Sequence, residues 1–301
     1  MKLVNFGSLN IDKVYRIPRF VRPGETILAD GYQCFAGGKG LNQSIAAARA
    51  GVQVLHAGAV GLDGEMLLRT LADNGVDVSH ILTSQTATGH AVIQVDSDGQ
   101  NCIIVLGGAN RELSQPYVDE TLKFCDPGDI VLVQNETSLV PYIIQRAYER
   151  GLKIAFNPSP IDEALFSYPL EYVNWLILNE VEGAQLTGLH RTEDTAVLQA
   201  LQKKYPQAEF VLTVGERGVL YAGKEGCHAH PSCNVPVIDT TGAGDTFCGY
   251  FLACTLQSME VEKCLELASK AAAIAISRPG ASASIPKMDE VISFSPVYRT
   301  F

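Results

Sequence analysis

The chain has 301 residues, 47% of them hydrophobic, with 23 basic against 33 acidic side chains and a formal charge of −10. That length fits one large α/β domain or two small ones. The acidic balance argues against nucleic acid as the main partner, whose phosphate backbone is bound by concentrated Lys and Arg, while leaving room for a small anion held by backbone N–H groups. No apolar run approaches the ~18 residues of a membrane span, and "MKLVNFGSLN" has neither a long apolar core nor a small-residue cleavage site. A cytoplasmic location is therefore expected.

In chain order, "LVNFGSLNID" reads as an apolar strand ending in polar residues, and "GETILADGYQCFA" alternates in strand fashion up to "GGKG". From Leu41, "LNQSIAAARAG" has helical spacing and stops at Gly51, a plausible C′ glycine. "VQVLHAGAVG" reads as a strand, and Asp63 as the cap of the helix "GEMLLRTLADNG". Two alternating runs, "GHAVIQVDSDG" and "QNCIIVLGG", meet at an Asp-Gly pair and predict a hairpin. The pattern then changes. "DIVLVQ", "KIAFNPSP", "WLILNE" and "EFVLTVG" are short apolar strands separated by helical segments such as "PYIIQRAYERG" and "TAVLQALQKKYP". Such βα alternation implies a mostly parallel sheet with helices on both faces. "NVPVID" reads as a further strand, followed by the closing helices "AGDTFCGYFLACTL" and "VEKCLELASKAAAIAIS". Without a linker or internal repeat, one domain spanning 1–301 is the economical reading, and the early alternating strands form a small accessory sheet inserted in it.

The cysteines, at 34, 102, 125, 227, 233, 248, 254 and 264, form no C-x-x-C pair and are read as reduced thiols. In "CHAHPSC", Cys227, His228, His230 and Cys233 have zinc-ligand chemistry but not the spacing of a standard structural site, and the period-2 alternation suits an ordinary strand or hairpin.

In open α/β sheets, ligands collect beyond the carboxyl ends of the strands. The polar residues there are Asn10 and Asp12, the "GGKGLN" loop, Glu136, Asn179 with Glu180 and Glu182, Gly215, and Asp245. Glu180 reads as a solvated or capping acid. Asn and Asp suit hydroxyls, and the glycine-flanked helix start in "DTTGAGDTF" suits a phosphate. No Ser-His-Asp order, Walker loop or G-x-G-x-x-G fingerprint is present.

Taken together, "GSLNID", "PGETI", "GGKGLNQSIAAARAG", "VGLDGEMLLRTLADNGV", "NEVE", "TVGERGV" and "DTTGAGDTFCG" resemble the ribokinase (PfkB) family of carbohydrate kinases along essentially the whole chain. The resemblance implies a ribokinase-like α/β fold with a β-sheet lid from about 11–36 and 88–106, and ATP-dependent phosphorylation of a sugar hydroxyl. It makes Asp245 the base and the N–H groups of Gly242, Ala243 and Gly244 the anion hole. Asn10, Asp12, Gly38, Lys39, Gly40, Asn42 and Glu136 would bind the sugar, with Lys39 alternatively a plain surface charge. Asn179 and Glu182 would organise Mg²⁺ and the phosphates, the Glu182 contact running through water. Thr213, Val214, Gly215, Glu216, Arg217 and Gly218, with Ser269, would line the ATP base and ribose. A K⁺ ion is implied beside the anion hole, held by Asp239, Thr241, Ser284 and the backbone oxygens of Ala275, Arg278 and Gly280. A homodimer through the lid strands is also expected, since open sheet edges need protection.

Among family substrates, "GGKGLNQ" and "VQNET" look closest to a ribose enzyme. Two departures stand out, Leu41 where alanine is common and His90 in a lid strand. If His90 faces the pocket, a nucleoside or pseudouridine becomes the substrate. If it faces away, it says nothing, and strand alternation favours the second. A sugar-binding regulator without turnover is the non-enzymatic alternative.

Overall fold

The structure is a computed structural model that describes residues 1–190 and 193–299. The strands are β1 (Lys2–Phe6), β2 (Asn10–Arg16), β3 (Gly31–Gly37), β4 (Gln53–Gly61), β5 (Asp77–Ser84), β6 (Gly89–Val95), β7 (Asn101–Leu106), β8 (Ile130–Gln134), β9 (Lys153–Asn157), β10 (Trp175–Asn179), β11 (Glu209–Thr213), β12 (Val219–Gly223) and β13 (Gly226–His230). The α-helices are α1 (Lys39–Arg49), α2 (Glu65–Asp73), α3 (Gln115–Leu122), α4 (Val140–Glu149), α5 (Glu180–Thr187), α6 (Asp194–Lys204), α7 (Ala243–Leu256), α8 (Val261–Ile276) and α9 (Met288–Ser293).

Among the described residues the main sheet runs β13-β12-β11-β10-β9-β8-β1-β4-β5, parallel except for the β11-β12-β13 meander. A separate sheet, β3-β2-β6-β7, is formed by the segments expected to make the accessory sheet. Two cores flank the main sheet. Leu3, Ile130, Leu132, Ala155, Ile177 and Val211 pack with α1, α7 and α8, whereas Val4, Val131, Val133, Phe156 and Leu212 pack on the opposite face with α4 and α6. Because strand side chains alternate, Asn5, one residue before the end of β1, and the terminal residues Gln134, Asn157, Asn179 and Thr213 fall on the α1–α7–α8 face. This periodicity collects five polar side chains near the carboxyl ends of neighbouring strands.

Several expectations need correction. "LVNFGSLNID" is two strands in two sheets, broken at Gly7–Leu9, and residues 24–30 are not a strand. The break follows from backbone proximity: a Cβ on Gly40 would collide with Gly7 and Ser8 backbone atoms, so α1 starts directly against this corner. "NVPVID" (234–239) is irregular, with Pro236 inside it and an isolated bridge at Cys233 just before it. β5 escaped the sequence reading because its burial is mixed rather than cleanly alternating. Asp63 does not cap α2, whose N-cap is Gly64, without a side-chain cap. Its Oδ1 instead accepts from the N–H (2.9 Å) and hydroxyl (2.6 Å) of Thr88, tying the root of β6 to the turn after β4. The "CHAHPSC" stretch begins as β13, paired with β12. No helix among the described residues is long and apolar enough to cross a membrane.

Candidate active site

α7 starts immediately after Gly242, a left-handed residue (φ 75°), and places Asp245 in its first turn. One turn further along, a Cβ on Gly249 would strike Ala46 and the backbone of Gln43, so glycine there allows α7 and α1 to approach closely. This brings Asp245 against the amides that follow "GGKGL". Asn42 Nδ2 donates to Asp245 Oδ2 at 3.0 Å, and Gln43 Nε2 donates to Oδ1 at 2.9 Å.

Gln43 belongs to a buried relay. Its Nε2 also donates to Asn157 Oδ1 (3.1 Å), and its Oε1 accepts from Gln134 Nε2 (2.8 Å), which donates to Asn5 Oδ1 (2.9 Å) as well. Asn5 Nδ2 donates to Gly40 O and to Ser44 Oγ. Ser44 meets His56 Nδ1 at 2.8 Å, and His56 Nε2 lies 3.1 Å from Gly7 O. Burial pulls the His56 pKa down to about 4 despite the Gly7 carbonyl, so the ring is neutral near pH 7. A carbonyl only accepts, which puts the ring proton on Nε2 and makes Nδ1 the acceptor from Ser44. The relay fixes Asp245 from behind, leaving its cleft side to a ligand.

On the accessory-sheet side, Ser8 Oγ donates to Glu136 Oε2, and Lys39 N approaches the same oxygen at 3.4 Å. Burial pushes the Glu136 carboxyl up, against the opposing pull of Lys39 and Ser8. Asp12 is pushed up to about 6 by burial and by the neighbouring Glu136 charge. Lys39 is half-buried, and its pKa is raised: burial lowers it, but Asp245, Glu136 and Glu182 together outweigh that. It is thus no plain surface charge. Asn10 is held by Asn110, a residue the sequence reading missed, whose Nδ2 donates to Asn10 Oδ1 at 2.8 Å. Asn110 also clamps both backbone groups of Leu9. The buried Asn42 Oδ1 has no hydrogen-bond partner among the described residues. Gly38 precedes α1 as its N-cap.

His90 pairs with Ile11 across β2 and β6, whereas Asp12 pairs with Ala91. Paired residues share a face, so His90 lies on the face opposite Asp12. Its Nδ1 sits 3.0 Å from Thr88 O.

Beyond Asp245 opens a cleft of about 420 Å³. Of the residues expected at the nucleotide, Asn179, Thr213, Gly215, Glu216, Gly218, Gly244 and Ser269 line it, together with Ala243 and Glu180. Two expected members do not. Val214 is buried, with its N–H on Gly218 O, and Arg217 turns away to Asp194 at 2.9 Å. The missed lining residues include Ala272, Ala273 and Ile276, which follow Ser269 at helical spacing on α8 and were legible on that ground. Asn179 and Glu182 form a reciprocal capping box at the start of α5. Near Asp245, the Ala243 N–H is engaged with Thr240 O at 3.2 Å, and apart from its chain neighbours and the adjoining α7 backbone no described atom lies within 4 Å of where a Gly244 Cβ would stand.

Asp239 joins two loops, accepting from Thr241 N (2.9 Å) and Gly280 N (3.0 Å). Burial alone would raise its pKa, yet these N–H groups hold it below the usual carboxylate value. The Arg278 side chain turns to Glu290, its N–H bonds Ala275 O at 3.1 Å, and the Ser284 hydroxyl donates to Ala281 O.

Residues 1–288 match the pfkB family of carbohydrate kinases. The chain is 34% identical over 299 residues to Haemophilus influenzae ribokinase, covering 97% of each chain. It superposes on Arabidopsis thaliana ribokinase, solved with ribose and ATP, with a TM-score of 0.88 and 30% identity, covering 98% of this chain and 99% of that one. For Cryptococcus neoformans ribokinase, solved with ADP, the values are 0.86 and 32%, covering 96% and 98%. The chain belongs to the pfkB family of carbohydrate kinases.

Proposed function

We infer that this protein is an ATP-dependent sugar kinase that converts D-ribose to ribose 5-phosphate. The observation carrying the reading is Asp245, at the N-terminus of α7, fixed by Asn42 and Gln43 and standing between the Asp12–Lys39–Glu136 cluster and the 420 Å³ cleft. A sugar hydroxyl beside Asp245 gives its proton to the carboxylate as its oxygen bonds to the γ-phosphorus, and the bond from that phosphorus to the β-bridging oxygen breaks to release ADP. Negative charge developing on the phosphoryl group falls at the α7 N-terminus, where Gly242 and Gly244 carry more of the anion hole than Ala243 because the latter's N–H already serves Thr240. Asn10, Asp12, Gly38, Lys39, Gly40, Asn42 and Glu136 form the sugar site. The unpartnered acceptor Asn42 Oδ1 supports this, since a sugar hydroxyl can donate to it.

Among the described residues no three His, Cys, Asp or Glu side chains gather to hold a metal. Mg²⁺, which would neutralise phosphate charge, therefore fits only as an ion carried largely by the nucleotide and water, with Glu182 the nearby carboxylate. For K⁺, the all-oxygen set of Asp239, Thr241, Ser284 and the carbonyls of Ala275, Arg278 and Gly280 suits a hard cation that would stabilise the loop, and Asp239 already bridges its two segments. The β3-β2-β6-β7 sheet serves as a lid over the sugar. Its exposed run Ile103–Leu106, with Tyr32 and Phe35, supports a homodimer through this sheet. A monomeric mass by light scattering would overturn that part. A cytoplasmic site is supported by all eight cysteines being unpaired.

The test is ADP release from Mg·ATP with ribose, 2-deoxyribose, fructose, adenosine, uridine and pseudouridine, each with and without K⁺. Ribose-dependent turnover supports the reading, and turnover with nucleosides alone replaces the substrate. A lid that closes on the sugar keeps water from the γ-phosphate, so ADP release that is the same without any acceptor would overturn the lid reading. Silence throughout returns the protein to a non-catalytic sugar binder.

A further inference from the structure

The segment after α9 has no part in anything above, and the family match ends at residue 288. It is nevertheless built onto the molecule. Asn234 N donates to Val297 O at 2.7 Å, Tyr298 bridges Cys233 in antiparallel fashion, and Arg299 N donates to Ser232 O at 2.9 Å. The Tyr298 ring stands edge-on to His230, with centroids 5.2 Å apart. Residues 297–299 thus add an extended strip to the irregular 232–234 segment, whose Ser232 and Cys233 line the cleft.

The strip delivers one side chain into that cleft. Arg299 is among the lining residues and forms an ion pair with Glu216, another of them. The guanidinium is one-third exposed and Glu216 is 78% exposed, so water screens the pair and opening it costs little. Glu216, Gly218 and Ser269 mark the part of the cleft assigned to the base and ribose, away from the anion site at the α7 N-terminus. A planar guanidinium held there by a backbone ladder is suited to lie against a purine face.

We propose that the C-terminal strip is a wall of the nucleotide cleft and that Arg299 is a nucleotide-binding residue contacting the purine end of ATP and ADP. The proposal rests on the kinase reading and adds to it a contact outside the matched family region. Its test is titration calorimetry with ADP on the intact protein, on Arg299→Ala, and on a chain ending at Phe294, which keeps the Phe294 side chain that packs against the core. The expected result is an ADP Kd raised roughly threefold to thirtyfold in both variants, with unchanged melting temperature in Arg299→Ala and unchanged ribose KM. Should the truncated chain fail to fold, the Arg299→Ala value decides. An ADP Kd within twofold of the intact protein's overturns the proposal and leaves the kinase reading standing. Absence of ADP binding by the intact protein overturns both.

Discussion

Around Asp12, Lys39 and Glu136 the polar groups are side chains at least partly withdrawn from water and restrained by other side chains, and burial pushes both carboxyls up. Around Gly215, Gly218 and Ser269 the wall is backbone and small aliphatic side chains from α8, with the charged groups Glu216 and Arg299 paired at the solvent side. The contrast separates two kinds of recognition. A buried polar end is costly to assemble but rejects any acceptor that leaves one of its groups unpaired. An open apolar end accepts a flat ring with less demand on geometry. Substitutions at the acceptor end should therefore cost most and depend on pH, whereas those at the donor end should cost little.

The largest effect is expected at the junction of the two ends. Asp245→Asn should lower kcat by about 10²–10⁴-fold while ADP affinity by calorimetry stays within a few-fold. A comparable loss of ADP binding would show that Asp245 serves the donor end instead.

Next comes Asp12, whose pKa of about 6 exceeds the usual 3.8. The folded state holds this proton more readily than the unfolded chain does. Its contribution to stability is therefore fully present at low pH and is lost as pH rises from about 4 to about 6. The ionised carboxylate accepts hydrogen bonds from sugar hydroxyls more strongly than the protonated acid, so ribose binding runs the opposite way. The ribose Kd should rise as pH falls below about 6, by about tenfold one unit further down. Asp12→Asn should raise the Kd by roughly 10- to 100-fold at pH 7.5 and flatten that dependence. A pH-independent Kd in the unaltered protein would remove Asp12 from the sugar site.

Both ends were legible in the sequence to different depths. "GGKGLN" and "GAGD" announced themselves because glycine must stand where backbones touch or turn, and the alternation of apolar strands with helices announced the sheet. The relay behind Asp245 did not. Asn5, His56 and Gln134 each interrupt an apolar strand run, which marks a buried polar residue, but only strand order shows that they converge under α1. The opposite failure befell "NVPVID", whose apolar pattern looked like a strand although Pro236, which has no N–H to give a ladder, stands in its middle. Arg217, drawn into the nucleotide site by its motif, is pulled out by Asp194, a partner 23 residues away.

The relay gives the next prediction. Gln43→Leu keeps the volume but leaves Gln134 Nε2 and Asn157 Oδ1 each short of a partner, costing about 1–3 kcal/mol of stability. With one of its two amide donors gone, Asp245 is less restrained, and kcat should fall by about tenfold while the ribose KM changes less. Gln43→Glu separates positioning from packing. A second carboxylate against Asp245 disfavours its ionised form, so the acidic limb of the kcat profile should move to higher pH. An unmoved limb would leave Gln43 a purely structural residue.

The smallest effect belongs to the donor end. Ser269 lines the cleft beside Ala272 and Ala273, on a helix face where a methyl group is already the common side chain. Ser269→Ala therefore extends an existing surface and removes at most one neutral hydrogen bond, worth about 0.5–1.5 kcal/mol. The KM for ATP should rise by less than about tenfold, with kcat and the ribose KM unchanged. A hundredfold rise would mean that the donor end also depends on a side-chain hydrogen bond, and the contrast between the two ends would then fail at its apolar side.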